Sequence, residues 1–295
     1  VMNAKESIRN EGAIQGKTVI LASDQDIINS GQINAGKIGL QSDTTIYQQG
    51  QIIGRDAVEL QAKKNITFNN SIEHLTNQDV LHKTAGIAVT GDTGVMIVSA
   101  GKDVNLGGAT IEALGKEGAI TITAGHDINS TTDTLTAKKD MTQDGDNYLR
   151  TYRQTELGTT IEAGGDISIG AKRDIKARNL TVSSDSGAVK VIGEHDISIE
   201  NGYSESKDAF ALKYKEKGLL NKKETKIKTN DESKNTLMST LSGHTVVVGA
   251  NNDVTLISSN VVSTAGTSVL AGHNVITDAA AEHTLSTASK DVKKS

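Results

Sequence analysis

The sequence predicts an all-β chain that folds as a right-handed parallel β-helix, a solenoid from which β-hairpins or loops project. Three observations support this fold class: a recurring phrase around Asp or Asn, a 19-residue period, and the absence of proline. The chain has 295 residues and no Pro, although roughly 15 would be expected at the usual frequency of about 5%. Proline cannot donate a hydrogen bond to a strand ladder, so its absence favours a chain made of central strands.

The recurring phrase is a small residue or Gly, one or two variable residues, Asp or Asn, and an alternating apolar pair. It reads AGKDVNL at 100–106, AGHDINS at 124–130, AGGDISI at 163–169, GEHDISI at 193–199, ANNDVTL at 250–256 and AGHNVIT at 271–277. Asp and Asn hydrogen-bond their own backbone at turns, so we expect them to form corners between strands. The predicted corner residues are Asp103, Asp127, Asp166, Asp174, Asp196, Asp253 and Asn274.

The 19-residue period is held by four columns of residues near the start of the chain. The columns are Gly12, Gly31 and Gly50; Ile14, Ile33 and Ile52; Ile8, Ile27 and Ile46; and Leu21 and Leu40, with Leu60 after 20 residues. Short segments between the Gly positions alternate apolar and polar residues, as strands do. Coils made of such strands would stack at a spacing of about 4.8 Å. The right hand follows from the general preference of parallel crossovers.

A larger unit replaces the plain coil in the second part of the chain. Plain coils of about 19 residues are predicted for 1–86, and two-coil units for 87–295. The units lie at 87–128, 160–200 and 240–278, with offsets of 71 and 79 residues between aligned copies, and the excursions between them lie at 129–159, 201–239 and 279–295. Roughly 10–12 coils would give a rod of about 50–60 Å.

The excursions break the coil period and are polar. QDGDN at 143–147 places Asp-Gly between alternating residues, which is a strong hairpin signal. We expect hairpins that project sideways from the rod, or flexible loops. The stretch 73–86 is irregular, and we expect an extra loop there.

Composition argues against several function classes. The net charge is −5, from 31 basic and 36 acidic residues, and aromatic residues make up 2%. Neither nucleic-acid binding nor an aromatic sugar platform is favoured. With no Cys and no known catalytic or calcium-repeat motif, we expect no enzymatic activity, no cofactor and no metal site. The His residues of the recurring phrase are interpreted as solvated corner residues.

The excursion at 201–239 carries the candidate contact residues. It holds nine Lys and six acidic residues, with two of the few aromatic side chains on an alternating face. Interleaved Lys and apolar residues suit an anionic bilayer surface or a partner strand. The alternative is a solvated hairpin whose Lys residues discourage edge pairing. The candidate contacts are Phe210, Leu212, Lys213, Tyr214, Lys215, Leu219 and Leu220.

The repeated phrases also carry a family resemblance. AGHDINS, AGGDISI and SGHTVVVGANNDVTLISSNV resemble the haemagglutinin repeats of filamentous haemagglutinin-like exoproteins, which are exported by two-partner secretion. The plain coils look like the first class of those repeats. The two-coil units look like the second repeat region of contact-dependent growth inhibition effectors.

This resemblance implies a non-enzymatic β-helical rod that is secreted or lies on the bacterial cell surface. As part of a growth inhibition effector, the rod would engage the target-cell outer membrane or its proteins, be transferred there, and aid toxin translocation in bacterial competition. The parent protein would have an outer-membrane secretion partner, and we expect the chain to be an internal fragment. An adhesin rod that mediates cell attachment in virulence is the alternative, and a polysaccharide-cleaving enzyme is a third possibility. Neither the receptor nor the oligomeric state follows from the sequence.

Overall fold

The computed structural model describes residues 1–219 and 221–294, and this part of the chain is all-β. Its strands are β1 Met2–Ala4, β2 Ile8–Asn10, β3 Ala13–Ser23, β4 Ile27–Asn29, β5 Gln32–Ser42, β6 Ile46–Gln48, β7 Gln51–Ala62, β8 Ile66–Asn69, β9 Ser71–His74, β10 Asp79–Lys83, β11 Gly86–Val89, β12 Val95–Ala100, β13 Val104–Gly107, β14 Thr110–Ala113, β15 Ala119–Ala124, β16 Ile128–Thr131, β17 Asp133–Asp144, β18 Asn147–Leu157, β19 Thr160–Ala163, β20 Ile167–Ala171, β21 Ile175–Arg178, β22 Thr181–Ser184, β23 Ala188–Gly193, β24 Ile197–Glu200, β25 Gly202–Lys217, β26 Lys222–Leu237, β27 Ser239–Ala250, β28 Val254–Ile257, β29 Ser259–Ala271, β30 Val275–Asp278 and β31 His283–Lys294. Across the described residues, no helix is long and apolar enough to cross a membrane.

Two parallel sheets contain most of the strands. The larger has 14 strands in the order β1-β3-β5-β7-β11-β14-β19-β22-β27-β23-β20-β15-β12, with β29 paired to β27. The smaller has 10 strands in the order β2-β4-β6-β8-β13-β16-β21-β24-β28-β30. Each strand therefore pairs with its equivalent one repeat away along the chain. The expected all-β class with parallel strands is confirmed.

Three aliphatic columns run through the paired repeats and form the core. In the smaller sheet the column is Ile8, Ile27, Ile46, Ile66, Val104, Ile128, Ile175, Ile197, Val254 and Val275. In the larger sheet one column is Leu21, Leu40, Leu60, Val98, Ile122, Ile169, Val191, Val248 and Val269. The other is Ile14, Ile33, Ile52, Ile87, Ile111, Ile161, Val182, Leu241 and Val261. Most of these side chains are less than 4% exposed, so stacked β-branched and Leu residues supply the main hydrophobic stabilisation.

A polar ladder replaces one apolar column in the first coils. The Asn10 amide donates to Asn29 Oδ1 at 2.7 Å, and the Asn29 amide donates to Gln48 Oε1 at 3.0 Å. Gln48 then donates to the carbonyl oxygen of Gly50 at 2.8 Å. Asn29 and Gln48 are fully buried, so each amide depends on its neighbour for hydrogen bonding. The next residue in this register is the buried Phe68, which ends the ladder.

The first glycine column is required by close approach between coils. A Cβ at Gly31 would lie 2.0 Å from the carbonyl oxygen of Gly12, and one at Gly50 would lie 2.0 Å from that of Gly31. Glycine at a corner can adopt backbone angles that other residues avoid. Neither residue has a positive φ in the structure, so the constraint is space for the neighbouring backbone rather than backbone freedom.

The three excursions form one antiparallel sheet, which we call the lateral sheet. Its order is β17-β18-β25-β26-β31. The excursions at 129–159 and 201–239 supply the hairpins β17–β18 and β25–β26, and 279–295 supplies β31. Pairs from Tyr148–Ala211 to Thr155–Ser204 join the two hairpins. The first two excursions are thus hairpins, one of the two expected forms, and their edges also pair with one another.

A shorter hairpin lies where an extra loop was expected. β9 and β10 pair antiparallel. Thr136 N–H donates to Asp79 Oδ2 at 2.8 Å, and Lys138 N–H donates to the carbonyl oxygen of Asn77 at 2.7 Å. This hairpin therefore abuts β17. Along the chain, two coils separate it from β17–β18, and two further coils separate each later excursion from the one before it.

Candidate interaction surface on the lateral sheet

Strand alternation gives the lateral sheet two different faces. Residues that pair directly across antiparallel strands share a face. The register Met141↔Leu149↔Phe210↔Thr229 defines one face, and Thr142↔Tyr148↔Ala211↔Lys228 defines the other. The first face carries most of the large apolar side chains near the hairpin tips. The second is rich in Lys and Glu.

The apolar face contains a cluster that we call the distal patch. Its members are Met141, Leu149, Phe210, Leu212, Tyr214, Ile227 and Val292. Met141 is 56% exposed, Leu212 38%, Tyr214 37% and Val292 42%. A concave surface of about 530 Å³ opens between Met141 and Phe210. Grouped exposed apolar side chains of this kind mark interaction sites.

The structure places the candidate residues Phe210, Leu212 and Tyr214 together on the distal patch. Sequence reasoning missed its other members, because they lie on other strands. Met141 and Leu149 are paired across the hairpin whose turn contains Asp144 and Gly145. The Asp-Gly signal could have found that pair, because it fixes which residues face each other.

The candidate residues Lys213 and Lys215 lie on the opposite face. Lys213 Nζ is 3.2 Å from Asp146 Oδ2 and 3.6 Å from Glu224 Oε1, and Lys215 Nζ is 3.5 Å from Glu224 Oε2. Hydrogen bonds from Lys226 and Lys213 hold the pKa of Asp146 below its usual value. These lysines therefore form a charged network behind the distal patch and do not contribute to it.

The tip of the lateral sheet is rich in lysine, and we call it the lysine tip. Its residues are Lys215, Lys217, Lys222, Lys223 and Lys293, which surround a concave surface of about 400 Å³ together with Glu216 and Glu224. Lys223 Nζ is 3.0 Å from Glu216 Oε2. Leu219 is fully exposed beside these lysines. Leu220, the remaining candidate contact, lies outside the described residues.

Ion pairs fix the other end of the lateral sheet to the coils. Arg178 Nε and Nη2 donate to Glu156 at 2.7 and 2.9 Å, and the guanidinium lies 5.4 Å from the Tyr203 ring centroid. Burial would raise the pKa of Glu156, but the bonds and charge of Arg178, with hydrogen bonds from Thr132 and the Tyr203 backbone, together lower it. The Asn179 amide donates to the Glu156 carbonyl oxygen at 2.9 Å. A bidentate Arg–carboxylate pair fixes the relative orientation of its two partners as well as stabilising them. This pair therefore positions the lateral sheet against the coils.

The predicted corner residues form a hydrogen-bonded column along the coils. Each carboxylate accepts from the backbone N–H of the equivalent residue one coil later. The distances from Oδ1 to N are 3.1 Å for Asp103 to Asp127, 3.1 Å for Asp127 to Asp174, 3.3 Å for Asp174 to Asp196, 3.1 Å for Asp196 to Asp253 and 2.9 Å for Asp253 to Asn274. The bonds therefore join neighbouring coils, whereas the sequence suggested bonds to each residue's own backbone.

Asp166 belongs to a different corner. Its Oδ1 accepts from the N–H of Ala188 at 2.8 Å, and it precedes a strand of the larger sheet. The recurring phrase therefore marks two kinds of corner, which have the same local chemistry but lie on different sides of a coil.

Cationic side chains partly neutralise the carboxylate column. Arg173 donates to Asp127 through Nε and Nη2, and this pairing lowers the pKa of Asp127 and raises that of Arg173. Burial would raise the pKa of Asp174, but hydrogen bonds from His195, the Asp196 N–H and Lys176 together lower it. The column is a structural element with an unusual density of negative charge.

Comparisons with known proteins gave no assignment: no family model, no curated protein and no solved structure matches this chain.

Proposed function

We propose that the paired repeats wind as a right-handed parallel β-helix, and that this rod is a segment of a contact-dependent growth inhibition exoprotein. In this proposal the lateral sheet engages the lipid surface of the target-cell outer membrane and aids toxin translocation. The repeat phrases that resemble haemagglutinin repeats support the family. The distal patch beside the lysine tip is the observation that carries the membrane role.

A lipid surface suits this part of the lateral sheet better than a solvated role. Leu212, Tyr214 and Val292 are exposed on this sheet. Apolar and aromatic side chains of this kind insert at the boundary between lipid headgroups and acyl chains. Lys223 lies on the face of the distal patch, and the other lysines of the tip lie on the opposite face at the same end of the sheet. Together they attract anionic headgroups, at about 1 kcal/mol for each Lys near such a surface. Their partly paired state, with Glu216 and Glu224 close by, predicts modest and salt-sensitive binding.

Flotation of the full chain with vesicles tests this proposal. We expect binding to vesicles of phosphatidylglycerol or lipopolysaccharide, weaker binding to phosphatidylcholine, and release by high salt. Replacing Phe210, Leu212 and Tyr214 together with Ser should abolish it. A matched control replaces three apolar residues exposed on the coils, Ile20, Ile53 and Ile192, with Ser and should bind normally.

The outcomes separate the alternatives. Failure to associate with any of these vesicles would contradict the membrane role. Binding to whole cells that persists in the Phe210, Leu212 and Tyr214 triple variant would favour an adhesive rod that uses another surface. A toxin module in the parent reading frame, with an immunity gene adjacent to that reading frame, would favour delivery over adhesion.

A further inference from the structure

We propose that Asp174, His195 and Asp196 form a binding site for a divalent transition-metal ion such as Zn²⁺ on the outer side of the carboxylate column. His195 Nδ1 lies 2.9 Å from Asp174 Oδ1 and 3.1 Å from Asp196 Oδ2. Each side chain offers one ligand atom, and all three ligand atoms lie within 4.8 Å of one another. One imidazole and two carboxylates form a ligand set of the kind found in open zinc sites.

The spacing of the three atoms suits a metal ion. Ligands about 2.0–2.2 Å from zinc lie about 2.8–3.6 Å from one another at octahedral or tetrahedral angles. The His195–Asp174 and His195–Asp196 separations of 2.9 and 3.1 Å lie within this range. The ion would replace the proton shared between the imidazole nitrogen and the carboxylates, and water would complete the coordination.

The coil ladder holds the ligands in place. Asp196 Oδ1 accepts from the Asn252 amide at 2.8 Å and from the Asp253 N–H at 3.1 Å, which leaves Oδ2 directed to His195. The N–H of Asp196 in turn donates to Asp174 Oδ1 at 3.3 Å. Hydrogen bonds of this kind orient metal ligands and raise affinity, so the site is largely formed before an ion binds.

Local charge favours a cation at this place. Five aspartates of the column, Asp103, Asp127, Asp174, Asp196 and Asp253, are joined in sequence by their hydrogen bonds. The Arg and Lys side chains that pair with these aspartates are Arg173, bound to Asp127, and Lys176, 3.4 Å from Asp174 Oδ2. The five carboxylates therefore outnumber these two paired cations. The imidazole favours zinc-like ions over Ca²⁺, which prefers oxygen ligands.

The same column provides a contrast within the chain. His273 Nδ1 lies 3.1 Å from Asp253 Oδ1, but the corner residue on its other side is Asn274. Beside His126, the carboxylate of Asp127 is already held by Arg173. Only around His195, within the described residues, do three such ligands meet. The inference differs from the sequence-based expectation, which gave these residues a corner role alone.

Calorimetric titration of the full chain with zinc chloride at about pH 8 tests the proposal. The higher pH is chosen because the hydrogen bond with Asp174 raises the pKa of His195. We expect one site that is lost in His195→Ala and unchanged in His273→Ala. Asn252→Ala should weaken binding about 10- to 100-fold, as loss of ligand support usually does. Binding should release protons and weaken as the pH falls, because His195 must be neutral to coordinate.

Circular dichroism melting checks that each variant stays folded. The proposal is overturned if the wild-type chain binds no zinc, or if His195→Ala binds it equally well. It is also overturned if calcium chloride binds as tightly as zinc with no dependence on His195. Asp196→Asn provides a second variant, since the amide keeps an acceptor for Asn252 and Asp253 but removes the ligand charge.

Discussion

The coils and the lateral sheet differ in what lies beyond each face of their strands. In a coil the inward side chains meet those of the other sides, so Ile175 in the smaller parallel sheet is 1% exposed. In the lateral sheet Leu212 occupies an equally regular alternating strand and is 38% exposed. The difference arises from closure of the coil, not from strand propensity. Alternation alone therefore predicts a strand without predicting how deeply its apolar face is buried.

Hydrogen bonding shows the same contrast. Corner carboxylates of the coils bond the backbone of the next coil, as Asp127 does with Asp174 at 3.1 Å. In the lateral sheet, charged side chains bond one another near solvent, as Arg153 does with Asp208 at 2.8 and 2.7 Å. Coil polar groups therefore stabilise the stacking, whereas exposed pairs contribute about 0–1 kcal/mol. We therefore expect mutations in the coils to lower the free energy of unfolding most, and mutations in the lateral sheet to lower it least.

The largest expected effect is the loss of a core side chain from a coil. Ile175→Ala should reduce the free energy of unfolding by about 2–5 kcal/mol, because it opens a cavity between Ile128 and Ile197. Urea unfolding followed by circular dichroism would measure it. A loss below about 0.5 kcal/mol, typical of surface changes, would show that the coils are not closed around this column.

A glycine corner should be the next most sensitive position. Gly31→Ala should cost about 1–3 kcal/mol, because the new Cβ would meet the carbonyl oxygen of Gly12 at 2.0 Å. Gly12→Ala is the matched control, since a Cβ there has nothing within 4 Å. Comparable urea midpoints for the two variants would contradict the close stacking of these coils.

The corner ladder should respond to both substitution and pH. Asp127→Ala should cost about 0.5–1.5 kcal/mol, because the N–H of Asp174 loses its acceptor. Asp127→Asn keeps an acceptor oxygen and should cost less.

The pH profile of the same variants gives the sign of the charge effect. Arg173 lowers the pKa of Asp127 in the folded chain. The ionised Asp127 therefore stabilises the fold above the usual carboxyl pKa, and this stabilisation is lost as the pH falls through the pKa of Asp127 in the folded chain. Both variants should show a smaller decrease in melting temperature on acidification than the wild type. An unchanged acid profile would contradict this role of the Asp127–Arg173 pair.

The smallest expected effect on stability is in the distal patch. Leu212→Ser should change the free energy of unfolding by less than about 0.5 kcal/mol, as exposed substitutions usually do, while weakening vesicle binding. Urea unfolding and flotation would measure the two properties on one sample. A large loss of stability would mean that this face is covered in the folded chain.

Much of the coil architecture could be predicted from the sequence because its contacts repeat. The 19-residue columns of Ile8, Ile27 and Ile46 are direct neighbours in the structure. The same column extends through Val104 and Ile128, where the β9–β10 hairpin and longer coils have changed the spacing. Equivalent residues must stack in a parallel ladder, so repetition in sequence translates directly into contact.

The lateral sheet could be predicted only in part because its contacts join different excursions. The hairpin at Asp144–Gly145 has a local signal, but the pairing of Leu149 with Phe210 depends on two coils lying between their strands. β31 has few apolar residues that could indicate its partner. It pairs with β26, the outer strand of the second hairpin. The partner carboxylates of Lys213 were also hidden, because Asp146 is distant in sequence.

The regular interval of two coils between hairpins has a geometric consequence. Neighbouring strands in any sheet are about 4.8 Å apart, so two coils and the two strands of one hairpin each advance by about 9.6 Å. Each added unit therefore lengthens the coil stack and the lateral sheet by the same distance. Deleting a whole unit of two coils and one hairpin would preserve this match, whereas deleting a single coil would leave the next hairpin one strand out of step.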